Sequence, residues 1–246
     1  MKSIYKNKFE NDIPNYILDL LEKIVLTKAN IIISGETDTG KTELQRLLLS
    51  FINVNDRIIT IEDKEINCMK ELFPEKNIYT KFATCEKSIS NLVRESLKNS
   101  PNWIIVSQIY DNKYQEIVKA ILTGHFVITT VQANNIYEVS NNIYEVSQNV
   151  YMYKSLFDFG ISINKLKIED KIIKYLNEIV EFTENGAITV FKQNYVNGKF
   201  VYENGVLSDE FKERMDEKGI SFQFPVEEIE EDTTESLDEV REVVKN

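Results

Sequence analysis

A short glycine-containing stretch near the start of the chain constrains its fold more than any other feature of the sequence. Residues 35–42 read Gly-Glu-Thr-Asp-Thr-Gly-Lys-Thr and match every fixed position of the phosphate-binding loop motif G-x-x-x-x-G-K-[ST]. An apolar, β-branched run at 31–33 precedes it, and apolar residues at helical spacing follow it, namely Leu44, Leu47, Leu48 and Phe51. Because strand, loop and helix stand in the required order, we predict a site for a nucleoside triphosphate. The alternative is an ordinary turn before a core helix.

Each part of this loop has a physical role in binding phosphate. The backbone N–H groups of the loop are expected to surround the phosphates at a helix N-terminus. The residues that supply them are Gly35, Glu36, Thr37, Asp38, Thr39, Gly40, Lys41 and Thr42. Lys41 is predicted to reach the β and γ oxygens, and the Thr42 hydroxyl to join the shell of a Mg²⁺ ion. Asp38 places a carboxylate beside a polyanion, so either its side chain points to solvent or it weakens binding.

The composition indicates a folded, acidic chain. Its 246 residues are 42% hydrophobic, which is enough for a large core, and they carry a net charge of -11. Binding nucleic acid by charge needs clustered Lys and Arg, so we expect no direct nucleic-acid partner. Cys68 and Cys85 have no histidine near them and form no C-x-x-C pair, which favours reduced thiols. No stretch is apolar enough to cross a bilayer, so we expect a cytoplasmic protein unless a partner holds it at a membrane.

Strand and helix patterns alternate after the loop. Apolar and β-branched runs predict strands at 57–61, 78–84, 103–106 and 126–131. Helical spacing predicts helices at 86–99 and 113–122, after an N-terminal helix with Ile17, Leu18, Leu21, Ile24 and Val25 on its apolar face. This α/β alternation predicts a largely parallel sheet with ligands bound beyond the carboxyl ends of its strands. Gly35, Glu62 and Gln108 all follow predicted strands, so we expect them at that edge.

The pattern divides the chain into four regions. These are an N-terminal helix and linker at 1–28, a nucleotide-binding core at 29–156, antiparallel hairpins with a final helix at 157–224, and an acidic tail at 225–246. Hairpin signals at 184–186 and 197–198 support the third region. Residues 135–141 are repeated almost unchanged as 142–148, which predicts a long helix packed on the core. A dimerising zipper is the lesser alternative, because the repeat is short.

Segments along most of the chain carry a family resemblance. Arg57–Asp63 has the pattern of an acidic box, Trp103–Gln108 that of a Walker B strand, and Thr123–Gln132 that of a histidine box. With the phosphate loop and residues 198–220, they resemble the secretion ATPases of type II and type IV systems, nearest to the tight-adherence pilus and conjugation branch. The resemblance covers about 14–220. It implies a RecA-like P-loop NTPase that binds ATP and Mg²⁺.

The same resemblance implies partners and site residues. Such ATPases assemble as hexameric rings beneath an inner-membrane platform and use ATP hydrolysis to move pilins or secreted substrates. Glu62 would organise Mg²⁺ and the attacking water, Arg94 would match a family arginine, and His125 would match the first histidine of the histidine box. The alternative for His125 is a strand-start residue held by hydrogen bonds.

The chain departs from the family pattern at three points. Ser107 and Gln108 stand where the family usually has Gly-Glu, and Gln132 stands at the second histidine. The family's usual N-terminal domain, which contributes arginines to the nucleotide site, is absent from this sequence. An amide cannot accept a proton from water as a carboxylate does, and losing such a group commonly costs about 10² to 10⁴ in rate. We therefore expect slow hydrolysis.

Three functions remain in competition. The favoured one is a divergent but active motor built on Lys41, Thr42 and Glu62, with Gln108 orienting the attacking water as a glutamine does in small GTPases. The second is a ring or regulatory subunit that binds nucleotide without useful hydrolysis. The third, a small-molecule kinase, is disfavoured because its lid would need arginines, and none occurs between Asn134 and Arg214.

Overall fold

The computed structural model describes residues 13–63, 68–109, 114–137, 139, 156–168 and 171–225. The helices in these ranges are α1 (Asn15–Leu26), α2 (Lys41–Phe51), α3 (Met69–Leu72), α4 (Ile89–Leu97), α5 (Gln115–Leu122) and α6 (Asp209–Asp216). The strands are β1 (Ile31–Ser34), β2 (Ile58–Glu62), β3 (Ile78–Phe82), β4 (Trp103–Ile109), β5 (Phe126–Val131), β6 (Phe159–Ile168), β7 (Lys171–Thr183), β8 (Gly186–Val196) and β9 (Lys199–Asn204). None of the helices in the described ranges is long and apolar enough to span a bilayer.

The described strands form a single mixed sheet in the order β3-β2-β4-β5-β1-β6-β7-β8-β9. Every pairing from β3 to β6 is parallel, and every pairing from β6 to β9 is antiparallel. The predicted α/β fold, largely parallel with antiparallel strands near the C-terminus, is confirmed. The hairpins do not form a sheet of their own, because β6 pairs with the free side of β1 and so extends the parallel sheet.

Helices cover both faces of the sheet, as the alternation predicts. On one face, α1 and α2 pack on inward-pointing residues such as Ile31 and Ile33 of β1. On the other face, α4 and α5 pack on residues such as Ile32. All four residues of β1 are buried, which is typical of a central parallel strand covered on both sides. The phosphate loop therefore starts from one of the most rigid parts of the fold.

Several predicted boundaries move by a few residues, and local chemistry accounts for two of them. The helix predicted at 86–99 begins at Ile89, because the Ser88 hydroxyl accepts a hydrogen bond from the Asn91 N–H at 3.3 Å and caps it. The final helix likewise starts after Ser208, whose hydroxyl accepts from the Phe211 N–H at 3.0 Å. The short α3 was not predicted. Most of the repeat at 135–148, and all but the first residue of the tail at 225–246, lie outside the described residues.

Strands β6 and β7 extend past the sheet at the edge where the phosphate loop lies. Strand β6 pairs with β1 only through Phe159–Ser162, and Ser162 lies opposite the last residue of β1. A bulge follows, after which residues 163–168 pair only with residues 171–176 of β7. We call these two segments the arm. Because β6 runs parallel to β1, the arm continues forward beside the loop that follows β1.

Candidate functional site

The phosphate loop connects β1 to α2 and is held in an unusual backbone conformation. Asp38 has a φ of 61° and Gly40 a φ of 101°, both in the left-handed region. Aspartate tolerates this region better than most residues, and glycine adopts it freely. Gly35 is needed for a different reason, since a Cβ there would lie 2.5 Å from Thr39 Oγ1 and 2.6 Å from the Ile163 carbonyl oxygen. The loop therefore packs directly against the base of the arm.

The loop borders a cavity of about 310 Å³ at the carboxyl edge of the parallel strands. Its lining includes most of the loop together with side chains from α2, β4 and the arm: Thr37, Asp38, Thr39, Gly40, Lys41, Thr42, Glu43, Arg46, Gln108 and Lys174. The structure thus brings Gln108 to the loop, as the strand order predicted. Sequence reasoning missed Arg46 and Lys174, because neither belongs to a motif.

Lys41 lies inside the loop, with only 8% of the residue exposed. Its Nζ donates to the carbonyl oxygens of Gly35, at 2.7 Å, and Glu36, at 2.6 Å. Burial lowers the pKa of Lys41, Asp38 and Glu36 act in the opposite direction, and Lys165 of the arm lowers it further. A desolvated ammonium flanked by a second cation attracts an anion strongly, because little water screens it.

Asp38 is exposed at the rim of the cavity. Its carboxylate therefore keeps contact with solvent, and it also acts electrostatically on Lys41, whose pKa it raises. Thr42 stands at the first turn of α2, half-buried, and also lines the cavity. The described residues contain no cluster of three or more His, Cys, Asp or Glu suited to a metal ion. A Mg²⁺ ion held by one hydroxyl, waters and phosphate oxygens, as is usual for this ion, fits that arrangement.

Glu62 is buried at the end of β2 and does not line the cavity itself. Its Oε1 accepts hydrogen bonds from Thr60 Oγ1 at 2.8 Å and from the Met69 N–H at 3.2 Å. Burial raises the pKa of Glu62, and Arg46 is among the groups that oppose this shift. Because Arg46 does line the cavity, it connects the Glu62 carboxylate electrostatically to the loop.

The raised pKa of Glu62 leads to a pH-dependent prediction. The folded chain holds this proton more tightly than the unfolded chain, whose carboxyl titrates near 4.5, so the free energy of unfolding falls as pH rises through the folded-state pKa. We expect Glu62→Gln to raise the thermal midpoint by about 1–3 °C at pH 7. The gain should vanish below the ordinary carboxyl pKa, where Glu62 is protonated. Thermal denaturation of both proteins from pH 4 to pH 8 measures this.

The exposed Glu75 supplies the matched control for this prediction. Glu75→Gln makes the same chemical change outside the core, so its thermal midpoint should follow that of the unmodified protein at every pH. A Glu62→Gln variant that loses stability at pH 7 would contradict the prediction. It would show that the charged carboxylate is favoured by its hydrogen bonds and by Arg46.

Gln108 reaches the cavity through an irregularity in β4. The pairing of β4 with β5 shifts register between Val106 and Ile109, a bulge that re-aims the two residues between them. Those residues, Ser107 and Gln108, are half-buried. The start of α2 is tied to the same strand, because Gln45 Nε2 donates to the Val106 carbonyl at 2.8 Å. This hydrogen bond connects α2, which follows the phosphate loop, to the strand that carries Gln108.

Neither Arg94 nor His125 lines the cavity within a single chain. The Arg94 guanidinium donates to Glu116 Oε1 at 2.7 Å, across the contact between α4 and α5. That hydrogen bond is the main cause of the lowered pKa of Glu116. His125 precedes β5, and the far end of β5 pairs with Ser34 beside the loop. The histidine is thus at the opposite edge of the sheet.

The contacts of His125 agree with its alternative interpretation as a strand-start residue. Its Nδ1 lies 3.1 Å from Thr123 Oγ1 and 3.3 Å from the Ala120 carbonyl oxygen. Its backbone N–H also donates to Ala120. A catalytic role for Arg94 or His125 would have to be exerted on a neighbouring copy of the chain, and it stays a prediction.

The fold and the loop together define the class of this protein as a RecA-like nucleotide-binding fold. Solved structures share this fold: the VirB11 ATPase of the Brucella suis type IV secretion system, solved with sulphate, has a TM-score of 0.58 at 20% identity. The matched region covers 67% of this chain and 52% of the VirB11 chain. The pilus retraction motor PilT with bound ADP has a TM-score of 0.53 at 23% identity, covering 67% of this chain and 50% of its own.

The chain belongs to the type II/IV secretion system protein family, whose sequence profile matches residues 9–188. This confirms the resemblance found in the sequence. An uncharacterized Bacillus anthracis protein is 31% identical over 239 residues, which are 89% of this chain and 54% of that protein. The VirB11 protein of Bartonella quintana is 32% identical over 124 residues, 48% of this chain and 34% of its own. The chain thus spans about half, or less, of the relatives' length.

Proposed function

We propose that this protein is the ATP-binding motor subunit of a secretion, pilus-assembly or conjugation apparatus. One observation carries the proposal: in a chain of the type II/IV secretion family, the phosphate loop borders a cavity that β4 and α2 complete with Gln108 and Arg46. This is the edge of a parallel sheet at which such folds bind ligands. Membership of the family supports the proposed cellular process, and the lining of the cavity supports the proposed chemistry.

Lys41 and Thr42 carry the binding of the triphosphate in this proposal. The loop N–H groups and the Lys41 ammonium hold the phosphates, while Thr42 holds Mg²⁺, which neutralises charge on the phosphate oxygens. Gln108 orients the attacking water through its amide, and the buried Glu62 acts on the same cavity through its electrostatic interaction with Arg46. We thus propose that Glu62 acts on the site indirectly. A direct contact with the ligands of the Mg²⁺ ion would require its side chain to move.

We further propose that the subunits form a ring, of six copies by the family resemblance, at the cytoplasmic face of a membrane platform. Nucleotide between subunits would give the half-exposed Arg94 side chain and His125 a neighbouring site to act on. The net charge of -11 supports protein partners over direct contact with nucleic acid.

Phosphate release by the purified protein tests this proposal. The unmodified protein should release phosphate from MgATP slowly but above the background of Lys41→Ala, which removes the ammonium from the loop. Gln108→Glu restores a carboxylate at the cavity and should raise the turnover rate by about tenfold or more. Equal rates for the unmodified protein and Lys41→Ala, with ATP still bound by the former, would overturn the motor function.

That outcome would support the second function, a nucleotide-binding ring or regulatory subunit that does not hydrolyse ATP usefully. The observation that favours it is the amide of Gln108 at the cavity, where a carboxylate would be the ordinary general base. In Gln108→Glu, a subunit whose only defect is this amide should gain phosphate release, whereas one without a water site should not.

A further inference from the structure

We propose that the arm is a phosphate clamp, in which Lys174 reaches across the loop at Gly40 and binds the phosphate chain of the nucleotide. The inference rests on the proposed function, because it concerns the same cavity. Lys174 lies far beyond Lys41 in the chain and outside every motif of the sequence.

The first observation is the position of Lys174. It is the arm's only contribution to the described lining of the cavity, which it shares with Lys41, Arg46 and Gln108. Its Cδ lies 3.8 Å from the position that a Cβ would occupy on Gly40. The side chain therefore passes directly over the loop, at the glycine that precedes the helix N-terminus.

The second observation is the pairing of Lys174 with another lysine. In the arm, Lys174 is the direct cross-strand partner of Lys165, so both side chains are on the same face. Lys165 Nζ donates to the Thr37 carbonyl at 2.8 Å, and its charge lowers the pKa of Lys41. Lys165 is thus a positioning residue that fixes the loop, whereas Lys174 extends into the cavity.

The third observation is the charge balance. Like charges directly opposite each other on two strands repel, and the charge of Lys165 also acts on Lys41, while Lys174 lines the same cavity as Lys41. Within the described part of the chain, neither Lys165 nor Lys174 forms an ion pair with a carboxylate. Lys41, Arg46 and Lys174 line the cavity together with the carboxylates of Asp38 and Glu43, and a phosphate chain placed among the three cations would make charge-assisted contacts with them.

Nucleotide affinity measured by calorimetry on the full chain tests the clamp. Lys174→Gln should weaken MgATP binding by about tenfold, the loss of one charge-assisted contact, and Lys174→Arg should retain most of the affinity. The matched control is Lys98→Gln, which removes the same charge from an exposed lysine after α4, at the opposite edge of the sheet. Its affinity should stay within about twofold of the unmodified protein.

Thermal denaturation without nucleotide gives a second readout that a purely structural lysine would not produce. Because Lys174→Gln relieves the repulsion with Lys165, its thermal midpoint should rise above that of Lys98→Gln, while its gain in midpoint on adding MgATP should shrink. Equal affinities of Lys174→Gln and Lys98→Gln would overturn the clamp and leave the proposed function intact if Lys41→Ala still fails to bind. Absence of binding by the unmodified protein would overturn both.

Discussion

The Lys41→Ala variant is expected to bind MgATP at least about a hundredfold more weakly than the unmodified protein, because in the proposed function the ammonium would make two or more charge-assisted contacts to phosphate. The structure supports so large an effect. Lys41 is almost fully buried in the loop, between the carbonyl oxygens of Gly35 and Glu36, and its burial lowers its pKa. A cation that has lost its hydration gains more from an anion than one in water does. Isothermal calorimetry measures the change.

The exposed Lys98 again provides the comparison for this variant. Lys98→Ala should bind MgATP like the unmodified protein, and circular dichroism should show that both variants keep their helices. If Lys41→Ala bound nucleotide normally, the phosphate loop would not be the site, and the proposed function would fail with it. A loss of binding together with unfolding would be seen in the same spectra, and Lys41→Met, which keeps the apolar stem of the side chain, would then replace it.

The Gly35→Ala variant is expected to be destabilised by about 1–3 kcal/mol and to lose most of its nucleotide affinity. A methyl group at this position meets the Thr39 hydroxyl at 2.5 Å and the Ile163 carbonyl oxygen at 2.6 Å. The second contact is with the backbone of β6 and has no flexible end that can move aside. Either the loop or the arm must therefore shift, and either movement opens the cavity. The thermal midpoint should fall by about 2–10 °C for a chain of this size.

A double variant shows which contact limits Gly35. Thr39→Ala removes the hydroxyl but leaves the Ile163 carbonyl in place, so Gly35→Ala with Thr39→Ala should remain destabilised relative to Thr39→Ala alone. Recovery of both stability and affinity in the double variant would show that the clash is confined to the loop. The contact between Gly35 and the Ile163 carbonyl of the arm would then not explain why glycine is needed at this position.

The order of secondary structure could be predicted because its signals are local. The isoleucine run before Gly35 and the apolar stripe after Lys41 give the strand, loop and helix directly, and the same alternation carries through β5. The missed features have weak local signals. The four-residue α3 is shorter than one amphipathic period, and the bulge in β4 depends on pairing with β5 rather than on the residues of β4 alone.

Fewer of the residues around the cavity could be predicted, because several of them have only a weak local signal in the sequence. Gln108 could be placed at the cavity because it follows a strand, and parallel strands end at a common edge. By the same rule His125, which precedes its strand, lies at the opposite edge of the sheet. Arg46 offered a usable signal, since it is one helical turn beyond Thr42 on α2. Lys165 and Lys174 offered only a local signal, a group of four lysines at 165, 167, 171 and 174 in an acidic chain.

The sequence by itself determined the fold class, the phosphate loop and the family, because each is written in contiguous residues whose spacing implies a local structure. Only the tertiary structure decided which side chains surround the loop. Lys174 reaches Gly40 because β6 pairs beside β1 and runs past its end, and because the arm's register then sets Lys174 opposite Lys165. Such contacts join residues far apart in the chain, and hydrogen-bond register between strands fixes them.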